Sequence, residues 1–173
     1  MPLTPLCRPI ELILTDVDGV LTDGRVLLDQ HGVEIKQFHI RDGQGIRLWQ
    51  QRGGQVGILT GRSSLAVSSR AAELDIAIVH QGIQNKLPVA KDLCKQLGLQ
   101  LAQVCYVGDD LPDVPVLRAV GLGVAVADAV EEVRAVANYT TSLRGGHGAL
   151  REVVEMILKN TDRWAEAVRK YVE

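Results

Sequence analysis

Five stretches of the chain are continuously apolar instead of alternating with polar positions: 10–16 (IELILTD), 54–60 (GQVGILT), 76–80 (IAIVH), 103–109 (QVCYVGD) and 121–128 (GLGVAVAD). A strand with one wet face alternates, so a short uninterrupted run predicts a strand buried on both faces. Between these runs, helical patterns cover 42–53, 63–75, 85–99 and 113–121, with a last one over 148–160. Strands alternating with helices predict a doubly wound α/β fold, a Rossmann-like parallel sheet with helices on both faces. Nothing forces a second domain, and 1–173 reads as one unit.

One segment breaks the alternation. Residues 24–43, GRVLLDQHGVEIKQFHIRDG, hold two short extended runs around DQHG, which predicts a β-hairpin projecting from the sheet ahead of the first helix. The C-terminal part, 144–173, reads as a helix followed by a polar tail. In that tail Trp164, Val168 and Tyr171 fall at helical spacing, the pattern of either a short docked helix or a frayed end.

Composition narrows the functional classes. Apolar residues make up 46% and charged residues 23%, with a formal net charge of -2, which excludes a generally basic nucleic-acid binder and leaves any cationic site to be local. No window approaches the roughly 20 apolar residues of a membrane span, and no secretion signal is visible. The three cysteines, Cys7, Cys94 and Cys105, are odd in number and lack CxxC spacing, which argues against a disulfide framework or a zinc site. They are expected to be inert packing residues in a chain suited to a reducing cytosol.

In an open α/β sheet, ligands bind beyond the carboxyl ends of the strands. The residues there are Asp16 and Asp18 after the first run, Thr60, Gly61 and Arg62 after the second, and Asp109, Asp110 and Asp113 after the fourth. Lys86 opens the helix that follows the third. Taken singly, each feature has a plain reading: DxDG as a turn, GDDLPD as a capped helix start, Lys86 as a solvated helix residue. Together they would gather several carboxylates at one edge, repelling by about 4 kcal/mol per pair at 4 Å and an effective dielectric near 20. A cation is needed, and an all-oxygen ligand set favours Mg²⁺, which completes its octahedron with water and substrate phosphate.

The set Asp16–Val20 (DVDGV), Leu59–Arg62 (LTGR), Lys86 and Gly108–Asp113 (GDDLPD) resembles the four motifs of the haloacid dehalogenase superfamily of phosphohydrolases. That resemblance implies Asp16 as nucleophile and Asp18 as general acid and base. It also implies Mg²⁺ on Asp16, the Asp18 backbone carbonyl and Asp109, with Thr60 and Lys86 on the phosphoryl oxygens. Asp113 would orient Lys86 or metal waters, and Asp110 would be a ligand or lie just behind one. Only 44 residues separate Asp16 from Thr60, 26 more lead to Lys86 and 23 to Asp109, which leaves no room for a cap domain. Such enzymes borrow a lid from a neighbouring subunit or accept large substrates.

DVDGVLTDG, FHIRDGQGI, GRSS and RGGHGALREV are further similar to the 3-deoxy-D-manno-octulosonate 8-phosphate phosphatase family, capless homotetramers that serve lipopolysaccharide synthesis. The implied partner is a small acidic sugar phosphate, with no nucleic acid and no membrane. The implied substrate contacts are Asp18, His39, Ile40, Arg41, Asp42, Gly43, Arg47, Arg62, Arg70 and Lys86. A substrate with both carboxylate and phosphate suits several fixed cations, and Arg can hold each anion bidentately. His39 and His147 depart from the family pattern, which often carries Asn or another small polar residue at the first position and Arg at the second. Phosphatases of nine-carbon keto-deoxy sugar acids, of another phosphoester, and a non-catalytic oligomerisation module share this motif set. The Gly-rich RGGHGA is expected to let the C-terminal segment bend into an adjacent site.

Overall fold

The structure is a computed structural model and describes residues 2–173. Its centre is a sheet of six parallel strands: β1 (Leu12–Thr15), β4 (Gln55–Leu59), β5 (Ile78–His80), β6 (Val104–Gly108), β7 (Leu122–Ala125) and β8 (Tyr139–Thr140), in the order β5-β4-β1-β6-β7-β8. The two remaining strands, β2 (Leu27–Leu28) and β3 (Glu34–Ile35), pair antiparallel as a separate hairpin. The continuous apolar runs are explained by burial on both faces. Leu12, Ile13 and Leu14 in β1 and all of β6 are buried, because helices cover both sides of the sheet.

Among the described residues, eight helices complete the fold: α1 (Thr4–Cys7), α2 (Ile40–Gln51), α3 (Leu65–Glu73), α4 (Lys86–Leu97), α5 (Val114–Leu117), α6 (Glu131–Val136), α7 (Ala149–Asn160) and α8 (Trp164–Val172). The amphipathic α7 buries Leu150, Val153, Val154 and Ile157 and packs across α2. The tail is a docked helix. Arg163 stacks over the Trp49 ring at 5.0 Å, and Gln44 donates to the Tyr171 hydroxyl at 2.7 Å, so α8 is pinned to its own α2.

One expectation changes. The hairpin pairs over only two residues per strand, and Ile40–Gly43 belong to the first turn of α2 and not to the hairpin. The Gly-rich segment lies against its own chain. Gly146 N–H donates to the Val20 carbonyl at 2.9 Å, and a Cβ on Gly145 would lie 1.8 Å from the Gly19 carbonyl oxygen, so only glycine lets this segment lie against the loop after Asp18. Short α1, α6 and β8 carry no separate signal in the sequence. All three cysteines are buried and unpaired, and burial pushes the Cys7 thiol up to about 11. No helix among the described residues is long and apolar enough to cross a membrane.

Candidate active site

Adjacent parallel strands β4, β1 and β6 end at one edge, and their exits bring Thr60, Asp16 and Asp109 together. The register carries this through: Thr15 of β1 lies beside Ile58 of β4 and Val107 of β6, and Asp16 N–H still donates to the Val107 carbonyl. A cleft of about 300 Å³ opens there, lined by Asp16, Asp18, Thr60, Arg62, Lys86, Asp109 and Asp110 among others.

Lys86 is the first residue of α4, with a side chain only 3% exposed. Its ammonium lies 2.7 Å from Asp16 Oδ2 and 2.6 Å from Asp113 Oδ1. Burial disfavours its charge, yet the two carboxylates outweigh that and raise its pKa. Asp113 is fully engaged inside the protein. Its Oδ1 also accepts from the Tyr106 hydroxyl at 2.6 Å, and its Oδ2 accepts from the backbone N–H of Asp109 and Asp110 at 2.9 and 3.3 Å. Gly19, with φ +89°, lies so close to Asp109 that a Cβ would be 1.9 Å from its Oδ2, so the DVDG turn and Asp109 fit only with glycine between them.

The carboxylates are electrostatically crowded. Burial, then the Asp113 charge, lifts Asp16 to about 6 although Lys86 opposes it. Burial with Asp16, Asp113 and Asp110 lifts Asp109 to about 8. Asp16, Asp109 and Asp113 each place a carboxylate oxygen within 4.8 Å of the others, and the buried Oδ1 of Asp109 has no hydrogen-bond partner. A hard divalent cation fits this set, since it would relieve the repulsion and satisfy the orphaned oxygen. With Asp113 committed elsewhere, Asp16 and Asp109 are the carboxylates open to it.

A pH dependence follows. Unfolded Asp titrates near ~3.9, so between that value and the raised folded values the metal-free native protein holds protons that the unfolded chain has released. Stability from these groups is fully present below about pH 4 and is lost as pH rises through about 6 for Asp16 and about 8 for Asp109. Thermal melts in a chelator should therefore give a Tm that falls between pH 5 and pH 8.5, with Mg²⁺ raising Tm most at the alkaline end. A metal-free Tm that climbs across this range would contradict the assignment.

Other residues expected to contact substrate lie away from this cleft. His39 accepts from Arg41 N–H as the N-cap of α2. Asp42 is 2% exposed and accepts from Arg151 N–H at 2.8 Å, so it caps the start of α7 and is not open to a ligand in this chain. Gly43 packs under Arg70, whose guanidinium lies over Phe38 and pairs with Glu73; Arg47 donates to the Glu73 carbonyl. Ile40 is 75% exposed, and Arg41 opens onto a hollow with Arg151 and Glu155. None of these seven lines the Asp16 cleft.

Two residues beside the cleft escaped the sequence reading. Tyr106 is the one polar side chain in an otherwise apolar buried strand, which is its signal in the sequence. Lys36 pairs with Asp18, and only the folded hairpin brings them together.

The match to known proteins is close. Residues 73–152 match the haloacid dehalogenase-like hydrolase model. The 3-deoxy-D-manno-octulosonate 8-phosphate phosphatases of Salmonella typhi and Escherichia coli K12 are each 44% identical over 158 residues, spanning 91% of this chain and 84% of theirs. Among solved structures, the same phosphatase from Moraxella catarrhalis, in complex with magnesium ion, phosphate ion and KDO, is 40% identical with a TM-score of 0.96, covering 98% of this chain and 97% of that one. A YrbI family phosphatase from Pseudomonas syringae is 44% identical with a TM-score of 0.97, covering 99% and 97%. The cleft gathers the carboxylates and lysine of the sequence motifs, on a fold shared with these relatives over nearly the whole chain. The chain belongs to the haloacid dehalogenase-like hydrolases, and within them to the phosphoric monoester hydrolases of the 3-deoxy-D-manno-octulosonate 8-phosphate phosphatase family.

Proposed function

We propose that this protein is a Mg²⁺-dependent phosphatase that hydrolyses 3-deoxy-D-manno-octulosonate 8-phosphate to the free sugar acid and phosphate. The observation that carries this reading is the pair Asp16–Lys86, a carboxylate held 2.7 Å from a buried ammonium at the floor of a cleft with Asp18, Thr60 and Asp109. It is supported by the Moraxella catarrhalis relative, which holds magnesium, phosphate and KDO on the same fold.

Asp16 attacks phosphorus through a carboxylate oxygen while the bond from phosphorus to the sugar oxygen breaks, giving an aspartyl-phosphate. Asp18 passes its proton to the departing sugar oxygen, then takes one from the water that cleaves the acyl phosphate. Thr60 and Lys86 hold the phosphoryl oxygens, where charge is spread in the transition state. Asp113 keeps Lys86 aimed and Tyr106 keeps Asp113 aimed, while Asp110 caps the short turn that follows at Leu111–Asp113. Mg²⁺ held by Asp16, the Asp18 carbonyl and Asp109 would neutralise charge between nucleophile and phosphate. Phosphate release from this substrate should stop on chelation and return with Mg²⁺; release that persists in chelator would overturn the metal dependence.

Arg62 is the one substrate arginine beside the cleft of its own chain. His39, Ile40, Arg41, Gly43, Arg47 and Arg70 would serve the cleft of a neighbouring subunit in a cytoplasmic homotetramer, with the hairpin at the contact and Asp42 holding the start of α7 behind them. Its apolar side chains favour burial there, since Val26, Leu28 and Val33 are 57%, 61% and 59% exposed in the single chain. Complementation tests this sharing. Asp16→Asn and Arg70→Ala subunits, each nearly inactive alone, should regain activity when unfolded together and reassembled, because some interfaces then combine intact halves. No recovery in mixed oligomers would place each site within one chain.

A further inference from the structure

The hairpin buries its lysine and exposes its apolar residues. Lys36 follows β3 directly, and its side chain is 3% exposed, whereas Val26, Leu28 and Val33 on the same hairpin are more than half exposed. Burying an ammonium is costly unless it is paired. The pairing is specific: Lys36 Nζ donates to Asp18 Oδ1 and lies 3.4 Å from Glu34 Oε1. Glu34 and Lys36 are two apart in extended chain and so share one side of it. Glu34 in turn holds Arg62, whose Nε is 3.8 Å from Asp18 Oδ2, beyond hydrogen-bond reach.

Asp18 thus has one close partner among the described residues, and it is Lys36. Asp18 lines the cleft and Lys36 does not, so the lysine grips the carboxylate from outside the substrate space. The two aspartates of the DVDG turn are each held by a lysine, Asp16 by Lys86 from α4 and Asp18 by Lys36 from the hairpin.

We propose that Lys36 is a positioning residue for proton transfer by Asp18, which makes the hairpin part of the catalytic apparatus of its own chain. This rests on the reading of Asp18 as the proton donor. A donor serves the departing oxygen only when aimed at it, and displacement by about 1 Å can cost ~10²-fold. The need for aim depends on the leaving group. A sugar alkoxide cannot leave without a proton, whereas p-nitrophenolate can.

The test compares kcat/KM for the sugar 8-phosphate and for p-nitrophenyl phosphate, in the Mg²⁺-loaded full chain. This parameter covers steps up to the first irreversible one, so hydrolysis of the aspartyl-phosphate does not enter it. Lys36→Met should lower the sugar-phosphate value about 10- to 100-fold and the nitrophenyl value less than about 3-fold. Lys36→Arg should recover most of the sugar-phosphate loss, and Lys36→Gln replaces Lys36→Met if that variant does not fold. Asp18→Asn is run beside them and should show the same selective loss. Equal losses on both substrates in the Lys36 variants, or none, overturn the proposal for Lys36 when Asp18→Asn remains selective. If Asp18→Asn itself slows both substrates equally, the proton-donor reading fails first.

Discussion

Asp16→Asn should abolish phosphate release, by about 10⁴-fold or more, in a protein that folds as well as the parent. The amide keeps the size of the carboxylate and can still accept from Val17 N–H, which lies 2.6 Å from Asp16 Oδ1. It cannot form an acyl phosphate of the required kind, so the loss falls on chemistry. Stability should move the other way. The fold raises Asp16 to about 6 through burial and the nearby Asp113 charge, so its neutral form is the better tolerated one. A neutral isostere should leave the metal-free protein at least as stable at pH 7.5 by thermal melt. Activity within about 10-fold of the parent would remove Asp16 as the nucleophile.

Lys86→Met should damage both activity and stability. The ammonium is the shared partner of Asp16 and Asp113, at 2.7 and 2.6 Å, and the Asp113 side chain is 1% exposed. Removing one member of a buried charged set leaves the others uncompensated, at a cost of about 3–5 kcal/mol. For a domain of this size that is a Tm loss of roughly 6–20 °C. The loss should shrink as pH falls, because carboxylates stripped of their cation bind protons in the folded state that the unfolded chain releases. Activity should fall about 10³-fold, since a donor to the transferring phosphoryl group is gone. A variant as stable as the parent at both pH 5.5 and pH 8 would show that the buried pair does not hold the site together.

The sheet was legible because its strands are buried on both faces. Residues 10–16 and 103–109 have no alternation to confuse with a surface strand, and the charged residues that end them mark the strand exits. Short β8 and α6 were not legible, because Tyr139–Thr140 pairs through the edge of an existing sheet and six residues of helix leave no periodic trace. The metal-side residues could be read for the same reason as the strands, since each follows an apolar run directly. Lys36 could not, because its contact with Asp18 depends on how an irregular 18-residue separation folds back. Asp42 shows a further limit, of a physical kind. A carboxylate in the sequence carries no mark of whether it will meet a ligand or the free N–H groups of a helix, and here it caps α7.

The division of the substrate residues into two groups has the same origin. Spacing places residues on elements, and the direction each side chain takes from its element is invisible to it. Arg62 and Arg70 lie eight apart near and within α3, yet Arg62 faces the Asp16 cleft and Arg70 turns to Phe38 and Glu73.

This cleft is expected to select an eight-carbon acidic sugar phosphate. The direct measurement is Mg²⁺-dependent kcat/KM on 3-deoxy-D-manno-octulosonate 8-phosphate beside a nine-carbon keto-deoxy sugar-acid phosphate and simple phosphoesters. The expected result is a preference of at least about 10-fold for the eight-carbon substrate, equal to about 1.4 kcal/mol of transition-state binding. A higher kcat/KM on the nine-carbon acid or on an unrelated phosphoester would contradict it.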